Sequence, residues 1–150
     1  MPTGSPIWHD ERGFVVNVQE IPLAGGRVTH QTTGTLTGDR SGPSLMLCGH
    51  PDTSNENGRP YREAEWTHDP WSGVIADGHL SGLGAINMKA GLAAAMVAAD
   101  WLWRPGRALR GDLTLAAVAA ETGGGVGALH LIASGFRPDL LSLPRRVISM

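Results

Sequence analysis

Three short stretches of this 150-residue chain carry residue types and spacings that could do chemistry. The first is GHPDTS, residues 49–54. In an extended chain alternate side chains point the same way, so His50 and Asp52 would stand side by side, a metal ligand beside an orienting carboxylate. The plainer reading of a bare His-x-Asp is a loop histidine and a turn-forming aspartate next to Pro51. The second is GLGAINMKAG, residues 82–91, where Asn87 sits between a glycine-rich turn and an alanine-rich run. A phosphate loop needs a lysine followed by serine or threonine, and a dinucleotide loop needs a third glycine, so neither nucleotide motif is present. What remains is a ligand or a helix cap, the cap leaving Lys89 in solvent. The third is AAETGGGVG, residues 119–127, in which Glu121 leaves an apolar run for a glycine turn. A carboxylate there could bind a metal or take a proton, or simply be exposed.

These residues need elements to hold them. Phe14–Ile21 and Val28–Leu36 are rich in β-branched residues and read as two strands. SLMLC, residues 44–48, is a short apolar run ending at Gly49, the pattern of a buried central strand that stops at a sheet edge. From Pro51 to Ser81 the glycine, proline, asparagine and aspartate content predicts a long loop with one short strand near Gly73–Leu80. Met88 to Trp103 is an alanine-rich helix ended before Pro105, with side chains small enough to pack closely on a sheet. LTLAAVAA, residues 113–120, predicts another strand, and Val126–Ser134 a second helix closed by Gly135. Strand, helix, strand, helix implies a layered α/β domain: a three-layer α/β/α arrangement on a mixed, mainly parallel sheet. No internal repeat or low-complexity tract interrupts it.

Composition narrows the function classes. The formal net charge is −2 and no basic cluster occurs, so an interface for nucleic acid or anionic membrane has no electrostatic basis. No stretch approaches the ~20 apolar residues of a membrane span, and the first residues lack the pattern of an export signal. Cys48 is the single cysteine, which excludes an internal disulfide or a thiolate-rich zinc site and suits a reducing compartment, with the cytoplasm the expected location. His9, His30, His68, His79 and His130 fit no motif.

Taken in order, GHPDT after an apolar strand, WTHDPWSGVIADGHLSGLGAINMKAGLAAAM, and LRGDLTLAAVAAETGGGVG followed by LHLIASG resemble the M20 family of zinc-dependent amidohydrolases and peptidases, over about residues 26–139. The resemblance implies hydrolysis of an amide bond in a peptide or small N-acylated amino acid, with one or two zinc ions as cofactor. It implies His50 as a zinc ligand and Asp52 as the catalytic aspartate that orients or polarises the site. Asn87 falls where the family has an aspartate that bridges two zinc ions; an amide offers one good acceptor oxygen and no charge. Where the family has adjacent glutamates, a general base and then a zinc ligand, this chain has Ala120 and Glu121. In that register Glu121 is the ligand and the base is missing; shifted by one, Glu121 is the base and Thr122 a poor ligand. No acidic residue follows Asp139, where the family supplies a further carboxylate ligand. The expectation is a partial metallohydrolase catalytic domain spanning residues 1–150, without the lid and dimerisation domain, and therefore an impaired hydrolase. The alternative is a catalytically silent homologue or truncated product with at most a binding or structural role.

Overall fold

The computed structural model describes residues 13–53, 65–104 and 107–144. In chain order the elements are β1 (Val15–Pro22), β2 (Val28–Leu36), β3 (Leu45–Gly49), β4 (Val74–Ala76), β5 (His79–Ser81), α1 (Ala90–Leu102), β6 (Leu113–Ala117), α2 (Val126–Ala133) and β7 (Leu140–Ser142). Five strands form one sheet in the order β1-β2-β6-β3-β7. The sheet is mixed, as expected, with its pairings evenly divided. β1 with β2 and β2 with β6 are antiparallel, while β6 with β3 and β3 with β7 are parallel.

Alternation along β3 and β6 builds two cores. Leu113 and Leu115 of β6, with Leu45 and Leu47 of β3, face α1, where Ala95 and Ala99 are buried one turn apart. Met46, Cys48 and Ala116 face the opposite way and pack with Val118 and Leu131 of α2. The helices therefore cover opposite faces and the domain has three layers. The connections require this: β3 to β6 crosses in one direction and β6 to β7 in the other, and right-handed crossovers then place α1 and α2 on different sides. The small residues of α1 allow its close approach. On the α2 side Gly127 does the same work, since a Cβ there would lie 2.3 Å from the Ala119 carbonyl and 2.5 Å from Gln31 Oε1. The Thr35 and Thr114 hydroxyls, opposite one another on β2 and β6, meet at 2.9 Å.

Several expectations change in detail. The strand read as Leu113–Ala120 ends at Ala117, because beyond the Val118 N–H, bonded to the Gly49 carbonyl at 2.8 Å, the backbone turns and Ala120 takes a left-handed φ of 54°. The single strand near Gly73–Leu80 is a hairpin, β4 and β5 joined through Asp77 and Gly78, both at positive φ. α1 begins at Ala90 rather than Met88. β7 was not anticipated. It lies beside β3 and is held there by Asp139, whose Oδ2 accepts from the Ser44 N–H at 2.8 Å and the Ser44 hydroxyl at 2.7 Å. Residues 54–64 of the expected loop lie outside the described residues.

Two outcomes follow for stability. Leu115, buried between β6 and α1, should cost ~2–5 kcal/mol when replaced by alanine, read from urea unfolding of the whole chain. The backbone and hydroxyl hydrogen bonds from Ser44 hold the Asp139 carboxyl below the usual carboxylate range. Its folded pKa is thus depressed relative to the unfolded ~3.9, so the clip is fully present above that pH and is lost as pH falls through the folded value. Amide exchange at Leu140, whose N–H bonds to the Ser44 carbonyl, should accelerate over that acid window in the native chain. In Asp139→Asn the same amide should lose this pH dependence.

Candidate functional site

Parallel pairing brings the site together. Gly49 at the end of β3 is level with Ala117 at the end of β6, so the residues that follow each strand leave the same edge side by side. The helices that follow these two strands lie on opposite faces, and in open α/β sheets a crevice for ligands forms outside such a pair of carboxyl ends.

His50 is the first residue beyond β3 and is only 3% exposed. Its Nε2 lies 3.3 Å from Glu121 Oε2, on a glutamate side chain that is 50% exposed. Asp52 faces the same loop. Its Oδ2 accepts from the Glu121 N–H at 2.6 Å and the Thr122 N–H at 3.3 Å, and its Oδ1 accepts from the Ala120 N–H at 3.3 Å. Three successive amides thus converge on one carboxylate, which holds Ala120 in its left-handed conformation and turns Glu121 toward His50. Asp52 orients the Glu121 loop, while the buried Nδ1 of His50 has no hydrogen-bond partner among the described residues. Burial raises the pKa of Cys48, two residues before His50, keeping a protonated, unreactive thiol beneath the site.

Asn87 lies in an irregular helical turn, Ala85–Lys89, just ahead of α1. It is exposed and extended, at φ −121° and ψ 98°, and the peptide bond joining it to Met88 is cis. The cap reading is overturned: α1 has no side-chain cap hydrogen bond, and Asn87 stands three residues before the first helical residue. Nor does Lys89 stand fully in solvent. It is half-buried, and its Nζ lies 3.4 Å from the Leu83 carbonyl. The turn sits close against the first motif. Gly84 has φ 76°, and a Cβ there would fall 2.6 Å from Lys89 Nζ and 2.9 Å from Thr53 Cγ2, which only glycine avoids.

The structure therefore joins His50, Asp52 and Glu121 directly, with Asn87 on a neighbouring turn. Sequence reading missed the cleft beside them, lined by Pro51, Thr53, Pro70, Trp71 and Lys89 among others. Its available signal was the Asp77-Gly78 hairpin turn.

A layered α/β domain with polar residues gathered at the carboxyl ends of its parallel strands defines a class of ligand-binding or hydrolytic domain. The profile of Peptidase family M20/M25/M40 matches residues 46–144, and the chain belongs to that family. It is 34% identical over 112 residues to a succinyl-diaminopimelate desuccinylase of Gluconacetobacter diazotrophicus, covering 75% of this chain and 28% of that protein. It is 30% identical over 130 residues to the N-formyl-4-amino-5-aminomethyl-2-methylpyrimidine deformylase of Bacillus subtilis, covering 87% of this chain and 29% of that protein. The chain thus spans under a third of the length of these curated relatives. Among solved structures, human carnosine dipeptidase 1 superposes with a TM-score of 0.73 at 18% identity, over 93% of this chain and 31% of that one. This likeness shows the shared fold.

Removing the Asp52 carboxylate should free the loop that carries Glu121. Asp52→Ala should cost ~1.5–3 kcal/mol, the usual range for hydrogen bonds to a charged group, with faster amide exchange at residues 120–122 and little change in the β1–β2 hairpin. Urea unfolding and exchange mapped by nuclear magnetic resonance check the two parts.

Proposed function

We propose that this chain forms the site-bearing part of a metal-dependent hydrolase that cleaves the amide bond of a small N-acylated amino acid or peptide. The observation that carries the reading is the meeting of His50 Nε2 and Glu121 Oε2 at 3.3 Å on the carboxyl edge. Two ligand atoms ~2.0–2.2 Å from a tetrahedral zinc ion lie ~3.3–3.5 Å apart, so this pair fits one edge of such a site. Among the described residues no group of three histidine, cysteine, aspartate or glutamate side chains is gathered to hold a metal. The pair is therefore a partial donor set, and the Asn87 amide oxygen is the neutral candidate nearest to it in the family pattern.

A zinc ion held here would polarise the scissile carbonyl and lower the pKa of its bound water. The protein's own share falls to few groups. His50 supplies an imidazole nitrogen, Asp52 keeps the Glu121 loop in place, and among the described residues Glu121 is the one carboxylate at the edge able either to bind the ion or to take a proton. It cannot do both well at once. Ala120 moves no proton, and losing a general base typically costs ~10²–10⁴ in rate, so turnover is expected to be slow. The names of the two relatives, a desuccinylase and a deformylase, support removal of an acyl group from nitrogen as the reaction type.

Titration of the whole chain with zinc tests the reading. His50→Ala should weaken binding by more than the ~10–100-fold typical of losing a mere supporting partner, and should abolish hydrolysis of N-acyl amino acids. Absence of zinc binding, or hydrolysis no faster than in His50→Ala, would sink it. Ala120 and Asn87 favour a second reading, a catalytically silent relative that retains only binding. The double variant Asn87→Asp with Ala120→Glu separates the two. Strong activity arising from none identifies a silent protein, whereas a modest rise over measurable native activity identifies a slow enzyme.

A further inference from the structure

Residues 49–53 are held from two sides. On one side Asp52 accepts from the backbone of the Glu121 loop. On the other lies the turn that carries Asn87, and a glycine at each contact lets it approach. One end of this turn closes on the stretch beyond His50. A Cβ at Gly84 would fall 2.9 Å from Thr53 Cγ2 and 3.5 Å from the Asp52 carbonyl oxygen. The other end closes on the last residue of β3. A Cβ at Gly49 would lie 3.0 Å from Met88 Cε and 3.4 Å from Leu92 Cδ1. The side chain that Gly49 lacks is thus the seat in which the Met88 methyl group rests beside Leu92.

Connectivity turns this contact into a constraint on the candidate site. Asn87 is joined directly to Met88, and His50 directly to Gly49, so each candidate ligand stands one peptide unit from the seat. The Lys89 N–H closes the turn on the Gly84 carbonyl at 3.1 Å. Inside it Asn87 and Met88 have non-helical backbone angles, so a helical hydrogen-bond ladder does not dictate where the Asn87 side chain points. Packing must do so instead. A thioether suits the task, because an unbranched, polarisable side chain bends to fill an irregular gap. Leu92, in the first turn of α1, meets the same spot and ties the seat to the helix.

We propose that Met88 is a positioning residue: its methyl group, seated on Gly49, holds the Asn87 amide at the carboxyl edge where His50 and Glu121 meet. That the amide oxygen is offered to a metal rests on the hydrolase reading above. The seat does not, and it can be measured in the metal-free chain.

The whole isotope-labelled chain is followed by nuclear magnetic resonance relaxation, first without metal and then with zinc. In the metal-free native chain the Asn87 side-chain amide should relax as an ordered group. Met88→Ala should make it mobile while the amides of residues 120–122, held by Asp52, keep their native order. Met88→Leu, which refills the seat at similar volume, should restore the order of Asn87. With zinc, Met88→Ala should lower affinity about tenfold, as losing the support of a metal ligand does, and Met88→Leu should recover most of it. In an Asn87→Ala background Met88→Ala should cost nothing further, because its effect passes through the amide. An Asn87 side chain equally ordered or equally mobile in the native chain and Met88→Ala would overturn the proposal. So would equal loosening of residues 120–122, no recovery in Met88→Leu, or additive losses of zinc affinity in the double variant. If Met88→Ala fails to fold, Gly49→Ala, which fills the seat from below, should loosen Asn87 in the same way, and an ordered Asn87 there would overturn the proposal. If the native chain binds no zinc, the hydrolase reading falls and the metal-free comparison alone decides the role of Met88.

Discussion

The parallel ladder between β3 and β6 sets Gly49 level with Ala117, and the Val118 N–H extends it by one more bond to the Gly49 carbonyl. A slip of one residue would turn each β3 side chain to the other face, sending Leu45 and Leu47 toward α2 and Met46 and Cys48 toward α1. It would also carry His50 away from Glu121. Because both faces of these strands are apolar, simple alternation of polar and apolar residues cannot hold the register. The two faces differ in size instead. Leucines meet the alanines of α1, while Ala116 and Thr114 lie on the side where α2 comes close through Gly127. Packing on both faces thus fixes the distance between the two candidate donors.

Much of this was legible in the sequence because it is written in local patterns. β2 was read to its exact ends, and the alanine-rich helix and the helix closed by Gly135 lie within two residues of their expected limits. Elements that depend on distant partners were harder. LLS at 140–142 is too short to announce a strand, and it becomes one only because Ser44 and Asp139 fasten it to β3. The end of β6 was misplaced because LTLAAVAA is apolar throughout, whereas its last residues are bent by hydrogen bonds to Asp52, almost seventy positions earlier. At the site, the residue types were visible and the roles were not. A His-x-Asp pair suggests that the aspartate serves the histidine, but here both carboxylate oxygens are taken by backbone amides of another loop.

Among the described residues, the carboxyl edge of the sheet carries little free negative charge. There Asp52 is committed to backbone N–H groups, Asn87 is neutral, and Glu121 is the carboxylate that faces His50. A neutral amide at Asn87 would do little to offset the repulsion between two neighbouring cations.

The backbone at Ala120 bears on which descendants of this sequence are open to it. At φ 54° a side chain is tolerated at a cost of roughly 1–2 kcal/mol, glycine at none, and asparagine or aspartate at little, whereas valine, isoleucine and threonine are close to forbidden. Placing an acid or base at this position is therefore not a free mutational step. An aspartate would suit the backbone but reach less far, and a glutamate would have the reach but would draw on the stability supplied by Asp52. The conformations open to position 120 are thus tied to the carboxylate of Asp52, which accepts from its N–H.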